Sequence, residues 1–375
     1  MDFSYTEEQQ MLRDSVARFI KQDYDFDTRR KILAQAPGFS PDNWSLFAEL
    51  GWLAFAFSET DGGLGGSATD IIVLMEELGK GLVVEPFLAT VILGGGLIAA
   101  AGSPEQKQAL LPGVMEGKVQ LAFACTEAQS RYNLEDVATS ASKAGDAYII
   151  NGMKTVVLNG RLADTFVVAA RSAGQQRDRE GISLLLVDAN ATGVTRSGYA
   201  TVDGHQAAEL TFAEVKVPAS ALLGEEGKAL PVMDRIIDRA TLAVCAEAVG
   251  AMEVACGKTV EYSKIRKQFG VAIGSFQALQ HRMVEMFMEH QQAKSILLMA
   301  AMQCDAAGGN DPGAISAMKS RIGKAARLIG QEAVQIHGGI GVTEELDVGH
   351  YFKRLTTIQY LFGSTDFHTQ RFATL

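Results

Sequence analysis

The spacing of apolar residues changes twice along the chain, which separates a helical part, a β-rich part and a second helical part. In the first part, apolar side chains recur at helical spacing over residues 11–20, directly after a capping box at residues 6–9. Residues 103–106 form a second capping box, with Pro104 at the first helical position, where a missing N–H costs nothing. The glycine-rich residues 60–66 predict a flexible loop between these helices.

The middle part consists of short β-branched runs divided by turn residues, between Val119 and Pro218. Asn151-Gly152 follows one such run and predicts a hairpin turn. The other runs that predict strands are residues 155–158, 165–168, 182–187 and 209–212. Several strands at this spacing favour a small barrel or sandwich.

After Gly227 the helical pattern returns and continues to the end of the chain. Glycines interrupt it near residues 270–274, 308–309 and 338–341, which predicts about four long helices packed as a bundle. The predicted domains are an N-terminal helical domain, residues 1–118, a middle β domain, residues 119–225, and a C-terminal helical bundle, residues 226–375.

The composition narrows the class of protein. The 375 residues include 34 Lys and Arg against 44 Asp and Glu, a formal charge of −10. This acid excess argues against a nucleic-acid partner, because phosphates require clustered cations. With 47% hydrophobic and 21% charged residues, the chain has ample material for a buried core, which excludes disorder over its whole length.

Cysteine usage and the apolar stretches favour a reduced, soluble protein. The four cysteines form no CxxC pair and have no His at ligand spacing from a second Cys, so we expect free thiols and no metal site. The most apolar stretch, residues 87–101, is shorter than the ~20 residues of a membrane-spanning helix. Residues 1–10 lack the basic and apolar regions of a signal peptide. We therefore expect a cytoplasmic protein with no membrane partner.

No short catalytic motif specifies a reaction. The sequence contains no GxSxG, no HExxH and no Walker loop, and the glycine-rich residues 60–66 are not followed by GK[ST]. A phosphate cradle in that loop is therefore disfavoured. The six His residues are scattered, and each is expected to be an ordinary surface or hydrogen-bonded residue.

Two glycine-containing segments are candidates for ligand contact. Residues 335–341 hold three glycines after a helical run, which fits either a helix C-cap or a backbone surface that a ligand approaches closely. Residues 266–270 combine an Arg fork for phosphate or carboxylate, a Phe for stacking and a Gly for a turn. The same segment also fits an ordinary helix end with a C-terminal cation. The residues alone leave both interpretations open at each segment.

Together these segments resemble the acyl-CoA dehydrogenase family of flavoproteins, over essentially the whole chain. The resemblance is carried, in order, by residues 121–127, 150–154, 215–218, 266–270, 276–277 and 335–341. It implies an acyl-CoA dehydrogenase-like fold with an N-terminal α-helical domain, a middle β-barrel and a C-terminal four-helix bundle. The chain looks most like the small subunits of pimeloyl-CoA dehydrogenase and of steroid side-chain enzymes, which work as unlike-subunit pairs, such as heterotetramers.

The resemblance also implies a reaction, the α,β-desaturation of an acyl-CoA thioester as in β-oxidation. In the family, FAD accepts a hydride from the β-carbon while a carboxylate, usually a Glu just before the last helix, removes the α-proton. Hydrogen bonds stabilise the thioester enolate. The implied electron acceptor is an electron-transfer flavoprotein.

The family positions that a chain contributes to its neighbour's FAD are retained. Six residues match contacts to the ADP part of a neighbouring subunit's FAD: Arg266, Phe269, Gln277, Gln335, Gly338 and Gly339. The resemblance assigns Thr126 to a flavin-ring contact. It also places Ser364 where the family has a Thr hydroxyl.

Other positions depart from the family. Tyr132 stands where a small hydroxyl meets the FAD phosphate, and Val156 and Leu158 stand where a Trp and a Thr face the flavin ring. A gapless count places the catalytic Glu position at Phe362, and the base position used by some relatives falls on Ala240. Neither of these two side chains can accept a proton.

The retained and lost residues predict a lending subunit, which we define as a chain that contributes residues to its neighbour's FAD site while an unlike partner carries the base. One alternative is a self-contained acyl-CoA dehydrogenase, acting with a second copy of itself, whose base is displaced to Asp366, or to Asp238 or Glu247. Another is a non-redox acyl-CoA-binding or scaffold protein. Arg131 could pair with a distal carboxylate on a dicarboxylyl chain, although a surface loop residue is the simpler interpretation.

Overall fold

The computed structural model describes residues 5–375, so the signal-peptide expectation falls partly on residues 1–4, outside the described residues. The α-helices are α1 (Glu7–Asp23), α2 (Phe26–Ala34), α3 (Pro41–Glu49), α4 (Ala68–Lys80), α5 (Gly96–Ala101), α6 (Pro104–Met115), α7 (Leu230–Ile265), α8 (Gln277–Ala306), α9 (Pro312–His337), α10 (Val348–Tyr360) and α11 (Thr365–Thr374). A π-helical segment, Leu88–Gly95, leads directly into α5. Both predicted capping boxes are confirmed, at Thr6 before α1 and at Ser103 before α6.

The chain divides into two compact units, each assembled from segments distant in sequence. Unit 1 comprises Met1–Ile32, Ser67–Val83 and Thr241–Leu375. Unit 2 comprises Leu33–Gly66 and Val84–Ala240. In its described residues, unit 1 is helical apart from the short strands β9 (Lys267–Gln268) and β10 (Val271–Ala272), and unit 2 contains the main sheet.

Helices α4 and α7 cross in unit 1 with their backbones in direct contact. A Cβ atom added to Gly79 would lie 2.1 Å from the Glu247 carbonyl oxygen, and one added to Gly250 would lie 1.8 Å from the Glu76 carbonyl oxygen. Both separations are far below van der Waals contact, so only glycine fits at these two positions. The crossing anchors α7 against an N-terminal helix of the same unit.

Replacing Gly250 with Ala is expected to lower the free energy of unfolding by about 3 kcal/mol, because the methyl group must displace backbone and not a flexible side chain. Gly257 in the same helix is exposed and has open space where its Cβ would lie. Gly257→Ala should therefore stabilise the protein by about 0.5–1 kcal/mol through helix propensity. Urea unfolding of both variants checks the prediction. Small changes of the same sign in the free energy of unfolding of both variants would contradict it.

Helices α8 and α9 lie side by side and antiparallel in unit 1. The Arg282 Nε donates to Glu332 at 2.5 Å, and Arg321 donates to both carboxylate oxygens of Glu289 at 2.6 and 2.8 Å. Residue numbers therefore rise along α8 while they fall along the adjoining part of α9. This pairing places the beginning of α8 beside the end of α9.

The C-terminal part contains three long helices and two shorter ones, α10 and α11, where about four long helices were predicted. The predicted breaks near the glycines are confirmed, since α7 ends at Ile265 and α9 at His337. The additional break falls between α10 and α11. There Phe362 and Gly363 have φ values of +58° and +126°, which a right-handed helix does not accommodate.

Unit 2 contains a mixed eight-stranded sheet. Its strands are β1 (Leu121–Ala124), β2 (Ser140–Ala144), β3 (Ala147–Leu158), β4 (Thr165–Arg171), β5 (Ile182–Asp188), β6 (Val194–Ala200), β7 (Gln206–Pro218) and β8 (Leu222–Leu223). The order is β6-β7-β3-β2-β4-β5-β8, and β1 pairs with β4 in parallel off this path. One face covers a continuous apolar core that includes Ile150, Phe166, Leu185 and Phe212.

The predicted hairpin at Asn151-Gly152 is wrong, because β3 runs straight through these residues. The turn between β2 and β3 lies at Gly145-Asp146, with Gly145 at φ +65°. Asn151 and Gly152 instead lie at a register shift between β3 and β7. A Cβ on Gly152 would lie 2.6 Å from the Thr139 Cα, so the glycine permits close approach of the residue before β2 and does not form a turn.

The glycine-rich residues 60–66 form a close-packed loop of unit 2, contrary to the expectation of a flexible one. The amides of Gly63, Gly65 and Gly66 donate to carbonyl oxygens of residues 55–58 at 2.8–2.9 Å. Cβ atoms on Gly63 and Gly66 would lie 2.3 and 2.6 Å from the carbonyl oxygens of Phe57 and Phe55. Packing therefore accounts for these glycines without a phosphate.

Within residues 5–375, one helix, α7, is long and apolar enough to cross a membrane by length and composition. However, 78% of its apolar window is buried inside the protein, which is typical of a core helix.

Candidate active site

The end of α7 and the end of α9 meet on one face of unit 1. The Tyr262 ring stacks on the His337 ring with their centroids 4.3 Å apart, and the Tyr262 hydroxyl donates to the His337 carbonyl oxygen at 3.4 Å. Arg266 follows Tyr262 by one helical turn. It is exposed and forms no ion pair within residues 5–375, so its guanidinium is free to bind an anion.

The beginning of α8 joins the same face. The Arg282–Glu332 ion pair holds the first turns of α8 against the last turns of α9, so the exposed amides of Gln277 and Gln335 lie at adjoining helix ends. Gly338 caps α9 at φ +66°. Cβ atoms added to Gly338 or Gly339 would meet nothing within 4 Å. The space over these two glycines is therefore open to a ligand, and the C-cap and ligand interpretations of the segment are compatible.

The turn between β9 and β10 presents an exposed aromatic ring beside these residues. Phe269 and Gly270 have φ values of +53° and +83°, as in a type I′ turn, and the Phe269 side chain is 91% exposed. A left-handed conformation is costly for a bulky residue. Phe276 packs edge-to-face against Phe269 at 6.2 Å, which orients its ring.

The structure thus gathers all six predicted nucleotide contacts in unit 1, and we call them the nucleotide-contact cluster: Arg266, Phe269, Gln277, Gln335, Gly338 and Gly339. A free guanidinium suits a pyrophosphate, an exposed ring suits a stacked base, and the amides suit hydroxyls. The donor set therefore fits the ADP part of FAD.

Thr126 lies in unit 2, just after β1, and its position is fixed by β3. The Thr155 amide donates to the Thr126 carbonyl oxygen at 2.9 Å. The neighbouring residues, Glu127 after Thr126 and Lys154 before Thr155, form an ion pair: the Lys154 Nζ donates to Glu127 at 2.7 Å, and both side chains are buried. The Glu127 carboxylate also accepts from the amides of residues 138 and 139 at 2.8 and 3.0 Å. A single buried ion pair therefore fixes the loop that carries Thr126.

The electrostatics of this pair follow from burial and charge. Burial raises the pKa of Glu127, but the Lys154 ammonium and the hydrogen bonds from Lys154, Gln129 and the Thr139 amide outweigh it and lower the pKa to about 2. Burial lowers the pKa of Lys154, and the Glu127 carboxylate opposes that shift.

The Glu127 pKa predicts a loss of stability in acid. The folded-state pKa of Glu127 lies below the unfolded value of about 4.3. The ionised carboxylate therefore adds to the free energy of unfolding, fully above about pH 5, and this contribution disappears as the pH falls toward 2. Between pH 6 and 2.5, the free energy of unfolding measured with urea should decline more steeply for the wild type than for the Glu127→Gln/Lys154→Met variant. Parallel declines would contradict the assignment.

Val156, at the flavin-facing position of the family, lies in a bulge of β3. The pairing of β3 with β7 shifts register between Lys154 and Val157, and Val156 has φ +50°, a rare conformation for a β-branched residue. Its amide donates to Glu209 at 3.2 Å, and Tyr199 donates to the same carboxylate oxygen at 2.8 Å.

The Tyr199–Glu209 pair was missed from the sequence. Burial and the neighbouring carboxylate raise the pKa of Tyr199 to about 12. Burial raises the pKa of Glu209, but hydrogen bonds from Thr155, Tyr199 and the Val156 amide lower it overall. The run 209–212 gave only a strand signal, and no local pattern connects it with residue 199.

The loop that should carry the base contains no proton acceptor at the predicted position. Phe362 is half-buried, and its carbonyl oxygen accepts from the His368 Nε2 at 3.0 Å. Burial lowers the pKa of His368 to about 4, so the imidazole is neutral near pH 7. Buried Lys319 donates to the Ile358 carbonyl oxygen at the end of α10. Lys319 on α9 and His368 on α11 thus fix the backbone around this loop through hydrogen bonds to its carbonyl oxygens.

The remaining predicted positions in this region have structural explanations. Ser364 is the N-cap of α11, and its Oγ accepts from the Phe367 amide at 3.3 Å, which leaves its hydroxyl proton available. Asp366 is exposed in the first turn of α11, where a carboxylate favours the helix dipole. Ala240 is fully buried.

The carboxylates considered on α7 are both buried. Glu247 accepts two hydrogen bonds from Arg354, at 2.5 and 2.7 Å, so its oxygens are held by a guanidinium. Asp238 is 1% exposed. Neither carboxylate is therefore placed as an accessible general base would be.

Two further positions lie in the loop after Thr126. Arg131 is exposed at φ +48°, as expected of a surface loop residue, and Tyr132 follows it half-buried. The pairing of Arg131 with a substrate carboxylate stays a prediction.

Comparison with known families covers nearly the whole chain. Residues 6–118 match the family model "Acyl-CoA dehydrogenase, N-terminal domain", residues 122–215 match the middle domain and residues 230–374 match the C-terminal domain.

Individual relatives agree with this result. A probable acyl-CoA dehydrogenase from Bacillus subtilis, YngJ, is 32% identical over 93% of this chain and 92% of its own length. The structure of butyryl-CoA dehydrogenase from Megasphaera elsdenii superposes with a TM-score of 0.91 at 28% identity, covering 100% of this chain and 99% of the other. A chain of the ChsE4–ChsE5 complex from Mycobacterium tuberculosis superposes with a TM-score of 0.90 at 25% identity, covering 100% and 98%.

Proposed function

Because the chain belongs to the acyl-CoA dehydrogenase family, we propose that it serves FAD-dependent oxidation of an acyl-CoA thioester as the lending subunit of a heteromer. An unlike partner supplies the catalytic Glu and most contacts to the flavin ring. An electron-transfer flavoprotein is the proposed electron acceptor.

One contrast carries the proposal. The nucleotide-contact cluster is complete and faces solvent, whereas the base position is Phe362. A residue that serves a neighbour's cofactor must be exposed in the isolated chain, and Phe269, at 91% exposure, meets this condition. The base position, in contrast, carries a side chain that cannot accept a proton. The chain therefore retains the residues that would contact a neighbour's FAD and lacks the base that its own active site would need.

Backbone strain supports a functional constraint at these positions. Val156, Phe269 and Phe362 all adopt left-handed φ values of +50° to +58°, which cost roughly 1–3 kcal/mol each for such side chains. Conformations of this kind persist where the surroundings enforce them and are concentrated at functional sites. Two of these residues, Val156 and Phe362, also stand at positions where the resemblance implies a different family residue.

The chemistry divides between cofactor and protein. Bound FAD would supply hydride acceptance from the acyl β-carbon. The Arg266 guanidinium would hold the pyrophosphate of the neighbour's cofactor, Gln277 and Gln335 would orient its polar groups, and Gly338 and Gly339 would allow close approach. Removal of the α-proton would require a carboxylate of the partner, since Phe362 carries none.

The similarity to a chain of the ChsE4–ChsE5 complex supports a heteromeric assembly. Turnover tests it: the isolated chain should be at least ~100-fold less active than the same chain co-purified with the product of its neighbouring gene, because general-base catalysis contributes ~10²–10⁴-fold. Equal turnover per chain would overturn the proposal.

A displaced base at Asp366 is the alternative that needs a separate test. Asp366 is exposed at a helix N-terminus and is not enclosed as a general base in a dry site would be. We therefore expect Asp366→Asn to leave the turnover of the co-purified complex unchanged within about twofold, whereas loss of a base costs ~10²-fold or more. A loss of that size in steady-state assays would identify Asp366 as the base.

A further inference from the structure

A stacked pair of rings joins two halves of the nucleotide-contact cluster, one at the end of α7 and the other at the end of α9. Tyr262 lies one helical turn before Arg266, and His337 directly precedes Gly338. The centroids of the Tyr262 and His337 rings are 4.3 Å apart, and the ring planes meet at 25°. We infer that Tyr262 and His337 are positioning residues, which hold the two halves at a fixed separation for the neighbour's FAD. This inference rests on the proposed function.

One side of α7 is fixed at the two successive turns before Arg266. Lys258, Tyr262 and Arg266 recur at steps of four, so they project from the same side of the helix. The Lys258 Nζ lies 2.8 Å from the Asp347 Oδ2, just before α10, and the Tyr262 ring lies against His337. The Arg266 amide donates to the Tyr262 carbonyl oxygen at 2.9 Å, which continues the helical pattern to the arginine. The Arg266 side chain therefore leaves α7 on the side that faces the end of α9.

The His337 ring is fixed in turn at the end of α9. It is 5% exposed, and its Nδ1 donates to the Ala333 carbonyl oxygen at 2.7 Å, since a carbonyl oxygen can only accept. A Cβ atom added to Gly341 would lie 2.9 Å from the His337 Cβ, so the turn after α9 packs against the same residue. The Tyr262 hydroxyl donates to the His337 carbonyl oxygen, one of the last carbonyls of the helix, which lack a partner within it. That carbonyl belongs to the peptide group directly before Gly338.

Ring packing supplies most of this restraint. At 3.4 Å the hydrogen bond from the Tyr262 hydroxyl is long for an O–H···O contact, whereas the ring separation is typical of a stacked pair. Arg266 is exposed and forms no ion pair within residues 5–375, so its placement depends on the backbone at the end of α7. A bidentate contact needs the guanidinium fork at a narrow range of positions, so a shift of its attachment point weakens phosphate binding. Loss of the stack is therefore expected to act on FAD affinity through Arg266.

A double-mutant cycle on the co-purified heteromer tests this role, with FAD affinity measured by flavin fluorescence. Tyr262→Ala should lower the affinity about 10-fold, because it removes one ring of the stack. The same change should lower it by less than about threefold in the Arg266→Ala background, since the contact that it misplaces is already absent. Tyr262→Phe and His337→Phe keep an aromatic pair and should each retain the wild-type affinity within about twofold.

A buried aromatic residue elsewhere in unit 1 provides the control for a merely structural role. Tyr24 follows α1, is 2% exposed and pairs with the Phe19 ring at 5.5 Å. Tyr24→Ala should lower the unfolding midpoint at least as much as Tyr262→Ala, because more of its side chain is buried, but should change FAD affinity by less than about twofold. His337→Leu, which removes the other ring of the stack and keeps an apolar side chain, repeats the test if Tyr262→Ala does not fold.

The possible outcomes separate this inference from the proposed function. A loss of FAD affinity in Arg266→Ala without a loss in Tyr262→Ala or His337→Leu would overturn the inference and still support the lending role. Equal losses from Tyr262→Ala with and without Arg266 would show that the stack does not act through that residue, which also overturns the inference. If Arg266→Ala itself loses no affinity, the lending role loses its main cofactor contact, and the inference falls with it.

Discussion

Replacing Arg266 with Ala is expected to lower the FAD affinity of the assembled heteromer about 10- to 150-fold, the equivalent of one charge-assisted hydrogen-bonded contact of 1.5–3 kcal/mol. The reason is that Arg266 is exposed, has no ion-pair partner within residues 5–375, and lies one turn from the Tyr262–His337 stack. FAD titration of the apo-heteromer by flavin fluorescence gives the affinity. Arg266→Lys should retain part of it, because a point charge replaces the planar fork.

Lys267→Ala is the matched control, since Lys267 is the adjacent exposed cation on β9. It should change FAD affinity by less than about threefold, as expected for long-range charge alone at physiological salt. Equal losses in the two variants would indicate a general charge effect, and no loss at Arg266 would remove that residue from the cofactor site. The unfolding midpoint should be unchanged in both variants, because both side chains are solvent-exposed.

The second large effect is structural and concerns the loop that carries Thr126. Lys154→Met is expected to destabilise the protein by about 3–5 kcal/mol, because it leaves the buried Glu127 carboxylate without its counterion. Urea unfolding measures the change. Amide exchange should rise in residues 125–139, because the amides of residues 138 and 139 donate to the Glu127 carboxylate.

Two comparisons make that prediction specific. The Glu127→Gln/Lys154→Met variant should recover a large part of the loss, since no buried charge remains unpaired. Lys228→Met removes one partner of an exposed ion pair with Glu225 and should leave the urea midpoint of unfolding almost unchanged, because solvent screens the pair. If Lys154→Met cost no more than Lys228→Met, the buried pair would not anchor the loop.

Features controlled by short-range chemistry could be predicted from the sequence. The capping boxes at Thr6 and Ser103 were predictable because two side chains and two amides within four residues satisfy each other. The helix breaks were predictable because glycines can adopt positive φ at helix ends. The nucleotide-contact cluster was predicted through the family resemblance, and the fold brings its six members to one face of unit 1.

Features that depend on distant partners could not be predicted. Asn151-Gly152 has the composition of a hairpin turn, but close approach of Thr139 makes it a bulge within a long strand. Glu127 and Lys154 are 27 residues apart, and each would be assigned to the surface by residue type alone. The left-handed conformations of Val156 and Phe362 contradict local preference and arise from their tertiary environment.

Flavin stoichiometry tests the lending-subunit hypothesis most directly. The chain should be purified alone and, separately, with the product of its neighbouring gene, and FAD per polypeptide should be measured by absorbance after gel filtration. The hypothesis predicts an isolated chain almost free of FAD, and a heteromer with about one FAD for each pair of unlike chains. One FAD per polypeptide in the isolated chain, together with full turnover, would contradict it.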